Sequence, residues 1–233
     1  MSQGNSAAAR QLLEESRHLL KELGDVWGEA STLYLLGMAA YFTGEGAAAR
    51  AYYQESLRLF RQQGDVFGVA FVASALEALG LGQGDEATTR SLYEQSLPLL
   101  RTSRDRGRLG MILINIGDNW LHQYGDAQQG KRFYEQGLKL WQDMQGVDSG
   151  LGIVRGLAGL AEVAVAEGQA ERAGRLFGAA AGLLPTSSSE WGELNRRSTA
   201  AGATRDAARF EAGKAAGAAI TTEQAITEAL QDA

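Results

Sequence analysis

Apolar positions recur along this chain at the three- and four-residue spacing of amphipathic helices, and the pattern itself returns after a long interval. In residues 6–23, Leu12, Leu13, Leu19, Leu20 and Leu23 form an apolar stripe. In residues 24–63, Leu33, Leu36, Gly37 and Ala40 share one face of a helix predicted over Val26 to Phe42. Ala49, Tyr53 and Ser56 share a face of a second helix, predicted over Gly46 to Gln62. The GDV that opens this stretch returns 40 residues on, at Gly64. Its closing YYQESL returns as LYEQSL at Leu92 and FYEQGL at Phe133.

These echoes divide the chain. Residues 24–63, 64–103, 104–145 and 146–184 are four helix-pair units, and 6–23 aligns with the second helix of a unit. The chain thus begins half a unit in, which predicts a preceding region. In the second unit Glu77 and Thr89 stand where Gly37 and Ala49 stood, so that pair is expected to pack less tightly, and Pro98 is expected to bend its helix. From Pro185 the pattern changes. Residues 185–233 are predicted as a helical cap, with a possible capping box at Thr221 and Gln224. The expected architecture is all-α: a right-handed solenoid of antiparallel helix pairs over 1–184, closed by that cap.

Glycine supplies 30 of 233 residues, well above the average of roughly 7%. The pairs Gly24-Asp25, Gly44-Glu45, Gly64-Asp65, Gly84-Asp85 and Gly125-Asp126 give a reason. Gly suits the left-handed position after a helix, and the acid suits the start of the next. The glycine excess is therefore read as punctuation.

The units resemble tetratricopeptide repeats. Leu36, Gly37, Ala49, Tyr53 and Ser56 match that family's pattern in type and spacing, as nearly do Ile116, Gly117, Gly130, Tyr134 and Gly137. The GD start, the YYxESL end and the tail from Phe210 to Leu230 resemble the carboxyl-terminal repeats of bacterial ATPase-type transcriptional regulators of the LuxR, AfsR and MalT kind. The resemblance implies a sensory or assembly module. It does not imply binding of DNA or nucleotide.

Composition narrows the chemistry. Cys is absent, which excludes disulfides and thiol nucleophiles. Net charge is −6, against a broad phosphate-binding surface. The start lacks the apolar core of a signal peptide, and the most apolar run, Leu157 to Ala166, is interrupted by Glu162; a cytoplasmic protein is expected. Gly80, Gly82 and Gly84 are not followed by the lysine of a phosphate loop and are read as a helix-ending turn. His18 and His122 lie in distant units. His122 stands four residues after Asp118, a spacing open to a ligand pair but ordinary for a polar helix face. Ser187 to Ser189 is read as linker, and Arg101, Arg104, Arg106 and Arg108 as a solvated turn paired with Asp105 rather than a nucleic-acid contact. No enzyme activity, cofactor or metal is expected.

A concave face remains. In the first unit, subtracting the packing positions leaves Ser31, Tyr34, Met38 and Tyr41. Their counterparts are Phe71 and Ser74, then Met111, Ile114, Asp118 and Leu121, then Arg155 and Glu162. Such a face suits an amphipathic helix or an extended peptide. The expected function is a non-enzymatic scaffold that binds a peptide or partner protein. The alternative is a small-molecule inducer sensor within an ATPase-type regulator. The apolar half repeat, 6–23, is expected to support self-association.

Overall fold

A computed structural model describes residues 3–79, 86–142, 150–203 and 206–231. They form twelve helices and no strand. In chain order these are α1 (Gln3–Glu22), α2 (Val26–Phe42), α3 (Gly46–Gln63), α4 (Val66–Ala78), α5 (Glu86–Arg101), α6 (Arg106–His122), α7 (Ala127–Gln142), α8 (Gly150–Ala166), α9 (Ala170–Gly182), α10 (Ser189–Gly202), α11 (Ala207–Gly217) and α12 (Thr222–Leu230). Gly80, Gly82, Gly84 and Asp85 lie outside the described residues, as do the side chains of Thr89 and Tyr93.

The glycine–acid punctuation works as expected at most boundaries. Gly24, Gly44, Gly64, Gly125 and Gly168 take φ between 67° and 79°, a region that costs a side-chain-bearing residue but not glycine. The amide after each of the first three and after Gly168 reaches back to close the preceding helix, as from Asp25 to the Leu20 carbonyl (2.9 Å) and from Asp65 to Phe60 (3.0 Å). The aspartates, though not Glu45, then cap the next helix. Asp25 accepts from the Gly28 amide (2.9 Å), Asp65 from Gly68 (3.1 Å) and Asp126 from Gln129 (2.9 Å). Thr221 and Gln224 form the expected capping box. Pro98 lies inside α5 without ending it. Glu77, expected to loosen its pair, is buried.

The helices fall into two compact units, Met1–Arg104 and Asp105–Ala233. α10, α11 and α12 pack within the second unit. In the first unit each helix packs on the next from α1 to α5. A Cβ on Gly37 would stand 2.5 Å from the Tyr53 ring, and one on Gly68 2.3 Å from the Phe60 ring. The Ser56 hydroxyl donates to the Ala30 carbonyl (2.7 Å), which satisfies a fully buried oxygen.

In the second unit α7 packs on α6 and α8, α6 also touches α8, and α9 packs on α8, α10 and α11. α12 lies against α7, α8 and α9. Tyr134 fills the space that Gly117 and Gly159 leave, and Trp141 the space beside Gly110 and Gly152. Here the reading of glycine as punctuation needs correction. Gly174 and Gly178 on α9, and Gly213 and Gly217 on α11, sit within helices where their backbones cross. A Cβ on any of them would fall 2.0–2.1 Å from a carbonyl oxygen of the facing helix. Only glycine permits so close an approach, and dispersion between the two backbones repays its helix-propensity cost.

Candidate functional site

In the first unit the expected positions form an aromatic ledge along α2 and α4. The Tyr34 ring lies tilted on Tyr53 (5.7 Å between centres) and edge-on to Phe71 (6.0 Å), spacings favourable for aromatic pairs. Ser31, Tyr34, Met38 and Phe71 are half-buried. Tyr41 is exposed and edge-on to Phe42, itself 73% exposed. Ser74 does not join this ledge. It is buried, and its hydroxyl donates to the Phe71 carbonyl (2.8 Å), which satisfies it within its own helix.

In the second unit the expected positions converge on a polar cluster. Met111, Asp118 and Leu121 come from α6, and Arg155 and Glu162 from α8. Arg155 donates to Asp118 Oδ2 (2.5 Å), and its other terminal nitrogen lies 3.4 Å from the Met111 sulfur. The Tyr134 hydroxyl donates to Asp118 Oδ1 (2.8 Å). Leu121 is half-buried. Ile114 is a correction: it is fully buried, its Cδ1 in the space left by Gly137 and Gly156. Those two glycines let α7 and α8 close over a position that helical spacing alone would turn outward.

Glu162 anchors the other half of the cluster. Arg197 of α10 grips it with two bonds, Nε to Oε1 (2.8 Å) and Nη2 to Oε2 (2.7 Å), the fork geometry that guanidinium favours. His122 Nε2 lies 3.2 Å from the same carboxylate. Burial by itself would raise the Glu162 pKa, but Arg197 and His122 outweigh it and hold the carboxyl at about 2. For Arg197 burial works downward, and the Glu162 bonds prevail to raise it. Glu162 likewise raises the His122 pKa. Burial, then the Asp118 charge, pushes the Tyr134 phenol well above its usual value. The Asp118 charge acts on His122 and Arg197, and the Glu162 charge helps keep the Tyr134 phenol neutral, so the two halves are electrostatically linked.

Other candidates settle into structural roles. His122 pairs with Glu162 rather than with Asp118, and no metal-competent group of ligands exists among the described residues. His18 faces Glu22 at 3.4 Å on an exposed surface. Arg108 pairs with Asp105 (3.3 Å), as the sequence suggests. Ser188 caps α10, accepting from the Trp191 amide (3.1 Å). A cavity of about 630 Å³ in the second unit is lined by Arg172, Arg175, Arg209, Glu171, Asp206 and Glu228. Arg175 is held there by Glu228 (2.7 Å).

Repeat arithmetic misses Arg197 and the bonding role of the Tyr134 hydroxyl. Arg197 lies beyond the last unit, so no register assigned it a face. Tyr134 is placed by the repeat as a packing residue, although Asp118, Arg155 and Glu162 marked the neighbouring face as polar. No family model matches this chain, and no curated protein matches it.

Proposed function

We propose that this chain is a non-enzymatic, tetratricopeptide-like interaction module that binds a peptide or partner protein, as a regulatory part of a bacterial signalling or transcription-regulator protein. The equivalent seating of Tyr53 against Gly37 and of Tyr134 against Gly117 supports the repeat reading. The observation that carries the function is the cluster on α6, α8 and α10. Three helices bring half-buried Arg155, Asp118 and Glu162, with Arg197 and His122, beside half-buried Met111 and Leu121. Arg155 remains about a third exposed, and a guanidinium has five donors. A peptide that sets a carboxylate beside an apolar side chain matches that arrangement. Calorimetry with peptides bearing Glu or Lys next to leucine tests it. The Glu series should bind, and Arg155→Ala should weaken it about tenfold or more, a loss of about 1.4 kcal/mol, with the circular dichroism spectrum unchanged. Equal binding by the variant sinks the assignment.

The cavity lined by Arg172, Arg175 and Arg209 together with Glu171, Asp206 and Glu228 supports a second reading, a small-molecule sensor for a ligand that carries both charges. Heat on titration of small zwitterionic metabolites alone, lost in Arg209→Ala, favours that reading.

A further inference from the structure

One imidazole decides the net charge of the α6–α8–α10 cluster. Arg155 and Arg197 bring two positive charges to it, and Asp118 and Glu162 two negative ones. Each carboxylate already has its guanidinium. Arg155 donates to Asp118, and Arg197 holds both oxygens of Glu162 (2.8 and 2.7 Å). These four groups balance, and His122 is the surplus. Its Nε2 lies 3.2 Å from Glu162 Oε2, an oxygen that Arg197 already holds. With a neutral imidazole the cluster has no net charge. With a protonated one it has a single positive charge.

The groups that face His122 come from every element around it. Asp118 stands one turn before it on α6, α8 brings Arg155 and Glu162, and α10 brings Arg197. From α7 the Tyr134 hydroxyl donates to Asp118 (2.8 Å). Of these side-chain types only an imidazole ordinarily changes charge between about pH 5 and 8, and Glu162 moves that change upward. The His122 side chain is 46% exposed and that of Arg155 32% exposed, so both meet solvent beside half-buried Met111 and Leu121. The chain's other histidine, His18, belongs to the first unit and faces Glu22. Resting on the reading of this cluster as a peptide site, we propose that His122 sets its ligand preference: protonation gives the cluster a net positive charge, so a carboxylate-bearing peptide binds more tightly as pH falls through neutrality.

Water screens a charge added at a half-exposed site, so the affinity gain is about threefold. By reciprocity the bound peptide must raise the pH at which His122 titrates by the same factor, about half a pH unit. The test uses the full chain and an amino-acetylated peptide with Glu next to leucine. Calorimetry at about pH 6 and about pH 9 reads the affinity, over a range in which the peptide's carboxylates stay ionised. NMR titration of the imidazole with and without the peptide reads the reciprocal effect. His122→Gln should flatten the pH profile, and His122→Lys, charged throughout, should hold binding at its acid-side level. His18→Gln should keep the parent's profile. Equal affinity at both pH values, or a profile that survives His122→Gln, overturns the inference and leaves the peptide site standing. No binding at either pH overturns both.

Discussion

Replacing Arg197 with methionine should remove much of the acid sensitivity that Glu162 gives the second unit. In the parent, Arg197 supplies two charge-assisted bonds to a Glu162 side chain only 18% exposed. That carboxyl, ordinarily near 4.5, is held at about 2. At about 1.4 kcal/mol per tenfold change in proton affinity, the difference corresponds to roughly 3 kcal/mol. Because the folded pKa lies below the unfolded one, this stability is present at neutral pH. It is lost as pH falls from about 4.5 toward 2. In Arg197→Met the carboxylate stays buried with His122 alone, so stability at pH 7 should fall by about 2–4 kcal/mol. Much of the acid dependence should vanish with it. The double variant with Glu162→Gln should recover part of the loss, since it removes the orphaned charge. Urea unfolding followed by tryptophan fluorescence is the assay. Of the four tryptophans, only Trp27 lies in the first unit. In a Trp27→Phe background the signal therefore reports the second unit alone. A variant within about 0.5 kcal/mol of its parent, or one with the parent's acid slope, would refute the reasoning.

Three further outcomes follow from the packing of α9 on α11 and from the His122–Glu162 contact. Gly178→Ala would place a Cβ 2.1 Å from the Lys214 carbonyl oxygen and force α9 from α11, at a cost of about 2–4 kcal/mol by thermal unfolding. Gly182→Ala, whose Cβ would find ordinary contact at 3.6 Å from Ala218, should be neutral or slightly stabilising. The His122 pKa is raised by Glu162, so its contribution to stability is full below the ordinary histidine range and lost as pH rises through the folded value. NMR titration of the imidazole should show a raised pKa that returns toward normal in Glu162→Gln.

The helices were legible because their signals are local. Asp25, Asp65 and Thr221 act on amides within three residues, and Gly24 and Gly64 set a backbone angle at their own positions. The core was legible because one repeat copy, Gly37 with Tyr53, fixed what the others must bury. The candidate sites were legible only in part. Asp118, Arg155 and Glu162 were found because repeat register carries a face from one unit to the next. Register cannot say how closely the next helix approaches, and that distance buries Ile114. Gly137 and Gly156 decide it, from α7 and α8, neither of them the helix that carries Ile114. Glycine thus has two opposite uses in one chain. At Gly64 its missing side chain frees the backbone to turn, while at Gly178 it lets two backbones touch. A following acid does not tell them apart, since Gly28, Gly117 and Gly192 precede an acid inside helices while the turn glycine Gly168 precedes Gln169. Glycines four apart, 174–178–182 and 213–217, mark one edge of a helix, which is the edge where α9 and α11 meet.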